Sequence, residues 1–70
     1  MLKAKVRRQA VQDILFRRSI SQNNLAQRLG VSSGYFSQLM TGGRCPGPGL
    51  RQKMMRELKV DFDALFESVR

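Results

Sequence analysis

Apolar residues recur at helical spacing along almost the whole chain. Val6, Ala10, Val11, Ile14 and Leu15 fall on one stripe, which predicts a first helix over about residues 3–18. Phe16 falls off that stripe, either as a partly exposed aromatic or as a contact for the last helix. Leu25, Ala26 and Leu29 form the inner side of a second helix, capped by Ser21, whose hydroxyl is placed to accept from the N–H of Asn23 or Asn24. Gly30 follows, where the chain needs a left-handed backbone that only Gly adopts cheaply, and Val31 packs under the turn. Ser32 caps a third helix, with Phe36, Leu39 and Met40 inward and Ser33, Gly34, Ser37 and Gln38 outward, ended by Thr41-Gly42-Gly43. The segment from Arg44 to Gly49 reads as a loop, because Pro46, Pro48 and the glycines around them oppose helix. A fourth helix is predicted over roughly residues 50–59, with Leu50, Met54, Met55 and Leu58 inward. A fifth begins at the cap Asp61 and presents Phe62, Leu65 and Phe66. No segment reads as an alternating strand, so the expected fold class is all-α: one domain over residues 1–70, a compact bundle of about five short helices.

Composition narrows the chemistry. Seventy residues bury only ~60% of their unfolded surface, which leaves no room for both a large core and a catalytic cleft. There is no His, and Cys45 is the lone Cys, so a disulfide framework, a zinc cluster and a Cys–His pair are all excluded. That lone Cys is compatible with a reducing cytoplasm. The five acids, Asp13, Glu57, Asp61, Asp63 and Glu67, read as caps and helix-surface charges rather than a catalytic pair, so no enzyme, metal, cofactor or small-molecule ligand is expected. No apolar run reaches the 18 or so residues of a membrane span, and the basic N-terminus lacks the apolar core of a secretory signal. Met1 fits a native start.

Charge points to an acidic partner. The chain has 13 Lys/Arg against 5 Asp/Glu, a net +8. Residues 1–44 carry eight basic side chains and one acid, net +7, and residues 45–70 carry five and four, net +1. The front of the chain is therefore the expected phosphate-facing part, although charge alone is equally compatible with a merely soluble basic surface.

One set of residues narrows this further: Ile20-Ser21-Gln22, Leu25-Ala26, Leu29-Gly30-Val31-Ser32, Phe36-Ser37, Leu39, Gly42, Pro46 and the run from Leu58 through Val60 to Leu65. In this register of caps, turn and core stripes the chain resembles the helix-turn-helix domains of the Cro and lambdoid phage repressor type, the XRE family, from about Val11 to Phe66. The resemblance implies a five-helix fold that binds double-stranded DNA, usually as a homodimer, and regulates transcription in a bacterial or phage-encoded, cytoplasmic, nucleoid-associated setting. It implies that Ser33, Gly34 and Gln38 reach base edges, and that Gln22 bonds a backbone phosphate. Ser32 and Tyr35 would lie near phosphates, and the segment Thr41, Gly42, Gly43, Arg44 would offer N–H groups and a cation to the opposite strand. Many members of this family pair an Arg with a Glu, partly buried, at the positions of Leu15 and Met40; here both are apolar, and the two side chains are expected to touch.

The reading surface is thin. Gln38 has the chemistry to grip adenine at N6 and N7, Ser33 discriminates poorly, and Gly34 brings no side chain, either to permit close approach to the groove or because that position reads nothing. Plainer roles stand beside these: Gln38 as a solvated polar residue, Tyr35 as surface packing, Arg44 as a loop charge, and Arg7, Arg8, Arg17 and Arg18 as a general positive field. A repressor acting by exclusion at an inverted-repeat operator leads. The alternatives are a protein–protein interaction module or antitoxin, with Phe16 or the last helix as its contact, and an architectural, excisionase-like DNA-binding accessory protein.

Overall fold

The computed structural model describes residues 2–70. Among the described residues there are five helices: α1 (Arg8–Arg17), α2 (Gln22–Leu29), α3 (Ser33–Thr41), α4 (Pro48–Leu58) and α5 (Phe62–Leu65). Two short strands, β1 (Lys3–Val6) and β2 (Phe66–Val69), pair antiparallel with Lys3 opposite Val69 and Val6 opposite Phe66. The fold is thus helical with a small two-stranded sheet, a correction to the all-α expectation.

The strands replace the predicted start of the first helix and the end of the last. Lys3-Ala4-Lys5-Val6 does alternate: Ala4 and Val6 are buried, and both lysines are exposed. Val6 therefore serves a period-two face, and the helical stripe begins only at Ala10 and Val11. Phe66 likewise belongs to a strand; its backbone is extended at φ −133° and ψ 160°. Arg7 ties the sheet to the helices. Its N–H donates to the Leu65 carbonyl at 2.7 Å, its Nε–H donates to the Phe66 carbonyl at 2.9 Å, and its guanidinium lies 4.0 Å from the Glu67 carboxylate. It is a structural cation.

The core is one apolar cluster with no buried polar or charged residue among its members. Phe36 and Leu39 of α3, Leu25 of α2, Val11 of α1, Met54 and Leu58 of α4, Leu65 of α5 and Phe66 of β2 are all inaccessible to solvent. Leu15 and Met40 are both buried within it, and Phe62 stacks obliquely on Phe66 with ring centroids 5.3 Å apart. Phe16 is 84% exposed, so it takes the solvent-facing of its two expected positions.

The caps follow the sequence. Ser21 Oγ accepts from the Asn24 N–H at 3.0 Å, Ser32 Oγ from the Tyr35 N–H at 3.1 Å, and Asp61 Oδ1 from the Ala64 N–H at 3.3 Å. Gly30 adopts φ +75° after α2, and the Val31 N–H closes back on the Ala26 carbonyl at 3.0 Å. The fourth helix starts two residues earlier than predicted. Pro48 occupies its first turn, where a missing N–H costs nothing and the fixed φ suits the helix, so this proline opens α4 rather than blocking it.

Candidate nucleic-acid interface

Helices α2 and α3, joined through Gly30, Val31 and Ser32, form a helix-turn-helix whose inner faces anchor in the core. That anchoring turns the other side of α3 outward: Ser33, Gly34, Ser37 and Gln38 are all exposed on one face. The three base-edge candidates, Ser33, Gly34 and Gln38, therefore share one solvent-facing surface. A Cβ added at Gly34 would meet nothing within 4 Å, so protein packing does not require Gly at this position.

Ser32 and Gln22 lie at the starts of α3 and α2, Ser32 exposed and Gln22 half-buried. Ser32 commits a lone pair to its cap, while its hydroxyl hydrogen stays available to an acceptor. Neither α2 nor α3 has an acidic residue in its first turn, so the positive ends of both helices are left uncompensated by side chains.

At the other end of α3 the loop folds back on Gln38. Its backbone carbonyl accepts from the Gly43 N–H at 2.9 Å, the Arg44 N–H at 3.2 Å and the Thr41 hydroxyl at 3.2 Å. Gly42 adopts φ +87° to allow this, and the Lys5 side chain lies against it, with Cε 3.1 Å from where a Cβ would stand. Thr41 and Gly43 thus turn their donors onto the helix end rather than outward, and what the loop presents is the Arg44 side chain. Arg44 Nε–H donates to Gln38 Oε1 at 2.8 Å, and its guanidinium carbon lies 5.9 Å from the centroid of the half-buried Tyr35 ring. Gln38, Arg44 and Tyr35 are one cluster, a grouping invisible at the level of sequence because it depends on the tight turn at Gly42.

Two further cations border this cluster. A cleft of about 620 Å³ between β1 and the α3–α4 loop is lined by Lys3, Tyr35, Arg44 and Arg51, among others, with no acidic residue in its wall. Arg51 Nε is buried and has no hydrogen-bond partner. Lys3 and Arg51 escape sequence reading because strand β1 carries the one and the first turns of α4 the other to the cleft. The signals that could have found them were the Lys-Ala-Lys-Val alternation and Pro48 as a helix opener. By contrast Arg28 lies 3.5 Å from Glu57 and Arg17 3.2 Å from Asp13, so each has an acidic neighbour that the cleft lacks.

No group of three or more His, Cys, Asp or Glu side chains among the described residues is placed to hold a metal, and no helix there is long and apolar enough to cross a membrane. No family model matches the chain, and no curated protein matches it. Among solved structures it is similar to the crystal structure of the transcriptional regulator VanUg, at a TM-score of 0.74 and 18% sequence identity, over 97% of this chain and 87% of that one. The fold of this chain is therefore one that a transcriptional regulator also adopts.

Proposed function

We propose that this protein is a transcription regulator of the Cro and lambdoid-repressor (XRE) type, which reads double-stranded DNA in the major groove with α3. The observation that supports this best is the exposed polar face of α3, bordered by helix N-termini without acids and by the cations Lys3, Arg44 and Arg51. Phosphate contacts provide most of the affinity in such complexes, and base-edge contacts provide sequence choice. Ser33, Gly34 and Gln38 are the base-facing positions. Gln22, Ser32, Tyr35 and Arg44 face phosphates, with Thr41 and Gly43 shaping the loop that carries Arg44. A homodimer on an inverted repeat, repressing by exclusion of polymerase in the cytoplasm, is the simplest mode of action for a domain of this size.

Selection from a random DNA library at ~0.15 M salt tests the reading. An inverted repeat with half-site centres ~10 bp apart is the expected result. The log–log salt dependence of affinity is expected to be steep, with each neutralised phosphate adding about −0.9 to the slope. Binding without any enriched sequence would overturn the regulator reading. The architectural and protein-interaction alternatives would then lead, and the 84% exposed ring of Phe16 is the observation that favours the latter.

Gly34→Ala separates the two roles of that glycine. The open space around it and its helical position predict a gain of about 0.5–1 kcal/mol, read as a rise in melting temperature of about 3–6 °C. Unchanged DNA affinity in the stabilised variant is the expected outcome for a position that reads nothing. A loss of affinity alongside the same gain in stability would instead mark close approach of the helix to the groove floor.

A further inference from the structure

We propose that Arg44 biases which base Gln38 reads, shifting it from adenine toward guanine; this rests on the DNA-reading function proposed above. A glutamine amide is ambivalent: Oε1 accepts and Nε2 donates, and adenine is gripped by using both, against N6–H and N7. Here Oε1 accepts from Arg44 Nε–H at 2.8 Å. The assignment of oxygen and nitrogen follows from chemistry, since a guanidinium N–H has no acceptor to offer an amide N–H. The trigonal amide then turns Nε2 away from Arg44, leaving both of its N–H donors and one weakened Oε1 lone pair for a partner.

The loop holds Arg44 in place independently of DNA. Its backbone N–H is bonded to the Gln38 carbonyl at 3.2 Å, the Gly43 N–H to the same carbonyl at 2.9 Å, and its guanidinium lies over the Tyr35 ring at 5.9 Å. The link between the two side chains therefore exists before binding, and DNA meets an oriented amide rather than a freely rotating one. An amide whose N–H donors are free while its oxygen already accepts a charged N–H suits guanine, whose N7 and O6 are both acceptors in the major groove, better than adenine, whose N6–H needs that oxygen as its acceptor. The remaining Nη groups of Arg44 are free for a phosphate.

The test is selection from a random library with wild type, Gln38→Ala, Arg44→Ala and Arg44→Lys, each checked for an unchanged melting temperature. Gln38→Ala identifies the base pair that Gln38 reads, as the position where preference disappears. Wild type is expected to favour guanine there. Arg44→Ala and Arg44→Lys, which both lack the planar Nε–H fork, are expected to shift the preference toward adenine by ~5-fold or more, the low end for a bidentate contact. An operator selected by wild type with the same base retained at that position in both Arg44 variants would overturn the inference while leaving the regulator reading intact. Uniform weakening at all positions would do the same and leave Arg44 as a phosphate contact only. Failure of wild type to select any sequence would overturn both.

Discussion

Leu15→Arg is expected to destabilise the fold by about 3–5 kcal/mol, because it places an unpaired charge in an apolar interior. Leu15 is 5% exposed, and the core cluster around it contains no polar or charged side chain to meet a guanidinium. A domain of this size has only about 4–10 kcal/mol in total, so the melting temperature should fall by more than ~15 °C. Met40→Glu should be similarly damaging, since Met40 is 4% exposed in the same cluster. The double variant Leu15→Arg with Met40→Glu gives each charge an opposite partner, and it should recover much of the loss. Thermal unfolding of the four proteins gives the coupling directly. A double variant no more stable than the sum of the single losses predicts would show that the two side chains do not face each other.

The second large effect is expected at Phe66. Its side chain is fully buried, its ring packs on Phe62, and its carbonyl accepts the Arg7 Nε–H. It is also the β2 residue that pairs with Val6, where the two ends of the chain meet. Phe66→Ala removes the ring from a site whose backbone is held on both sides, so the cavity has little freedom to collapse. A loss of about 3–5 kcal/mol is expected, read from the urea midpoint. Amide exchange across residues 3–6 should accelerate as well, since β2 is the one strand that pairs with β1 among the described residues. Ser68→Ala on the same strand, at an exposed position, is the control and should stay within ~0.5 kcal/mol of wild type. A Phe66→Ala loss below about 1 kcal/mol would show that the sheet contributes little to the fold.

Much of this architecture is local, and local features were legible. Each cap is a short side chain reaching an N–H three residues on, so Ser21, Ser32 and Asp61 announced the starts of α2, α3 and α5. Gly30 marked the turn between α2 and α3 because a left-handed residue is needed there. The inward sets Leu25, Ala26 and Leu29, and Phe36, Leu39 and Met40, followed from helical period alone, and their burial turned Ser33, Gly34 and Gln38 outward. The candidate reading face is therefore a consequence of sequence periodicity.

What escaped was everything decided by contacts between distant segments. A four-residue strand has too few alternations to outweigh a neighbouring helical stripe, and Lys3 to Val6 became a strand only because Phe66 to Val69, from the far end of the chain, lies beside it. Arg7 reads as one basic residue among many until the Leu65 and Phe66 carbonyls come within its reach. The Arg44–Gln38–Tyr35 cluster needs the tight turn at Gly42, and the cationic cleft needs β1 to carry Lys3 toward the loop that precedes α4. The sequence by itself determined the middles of the helices, the caps of α2, α3 and α5 and which face of α3 looks outward, because each depends on residues within a turn or two of one another. Only the tertiary structure decided the joining of the chain ends and the grouping of the cations, because those arise where the packed core brings remote segments together.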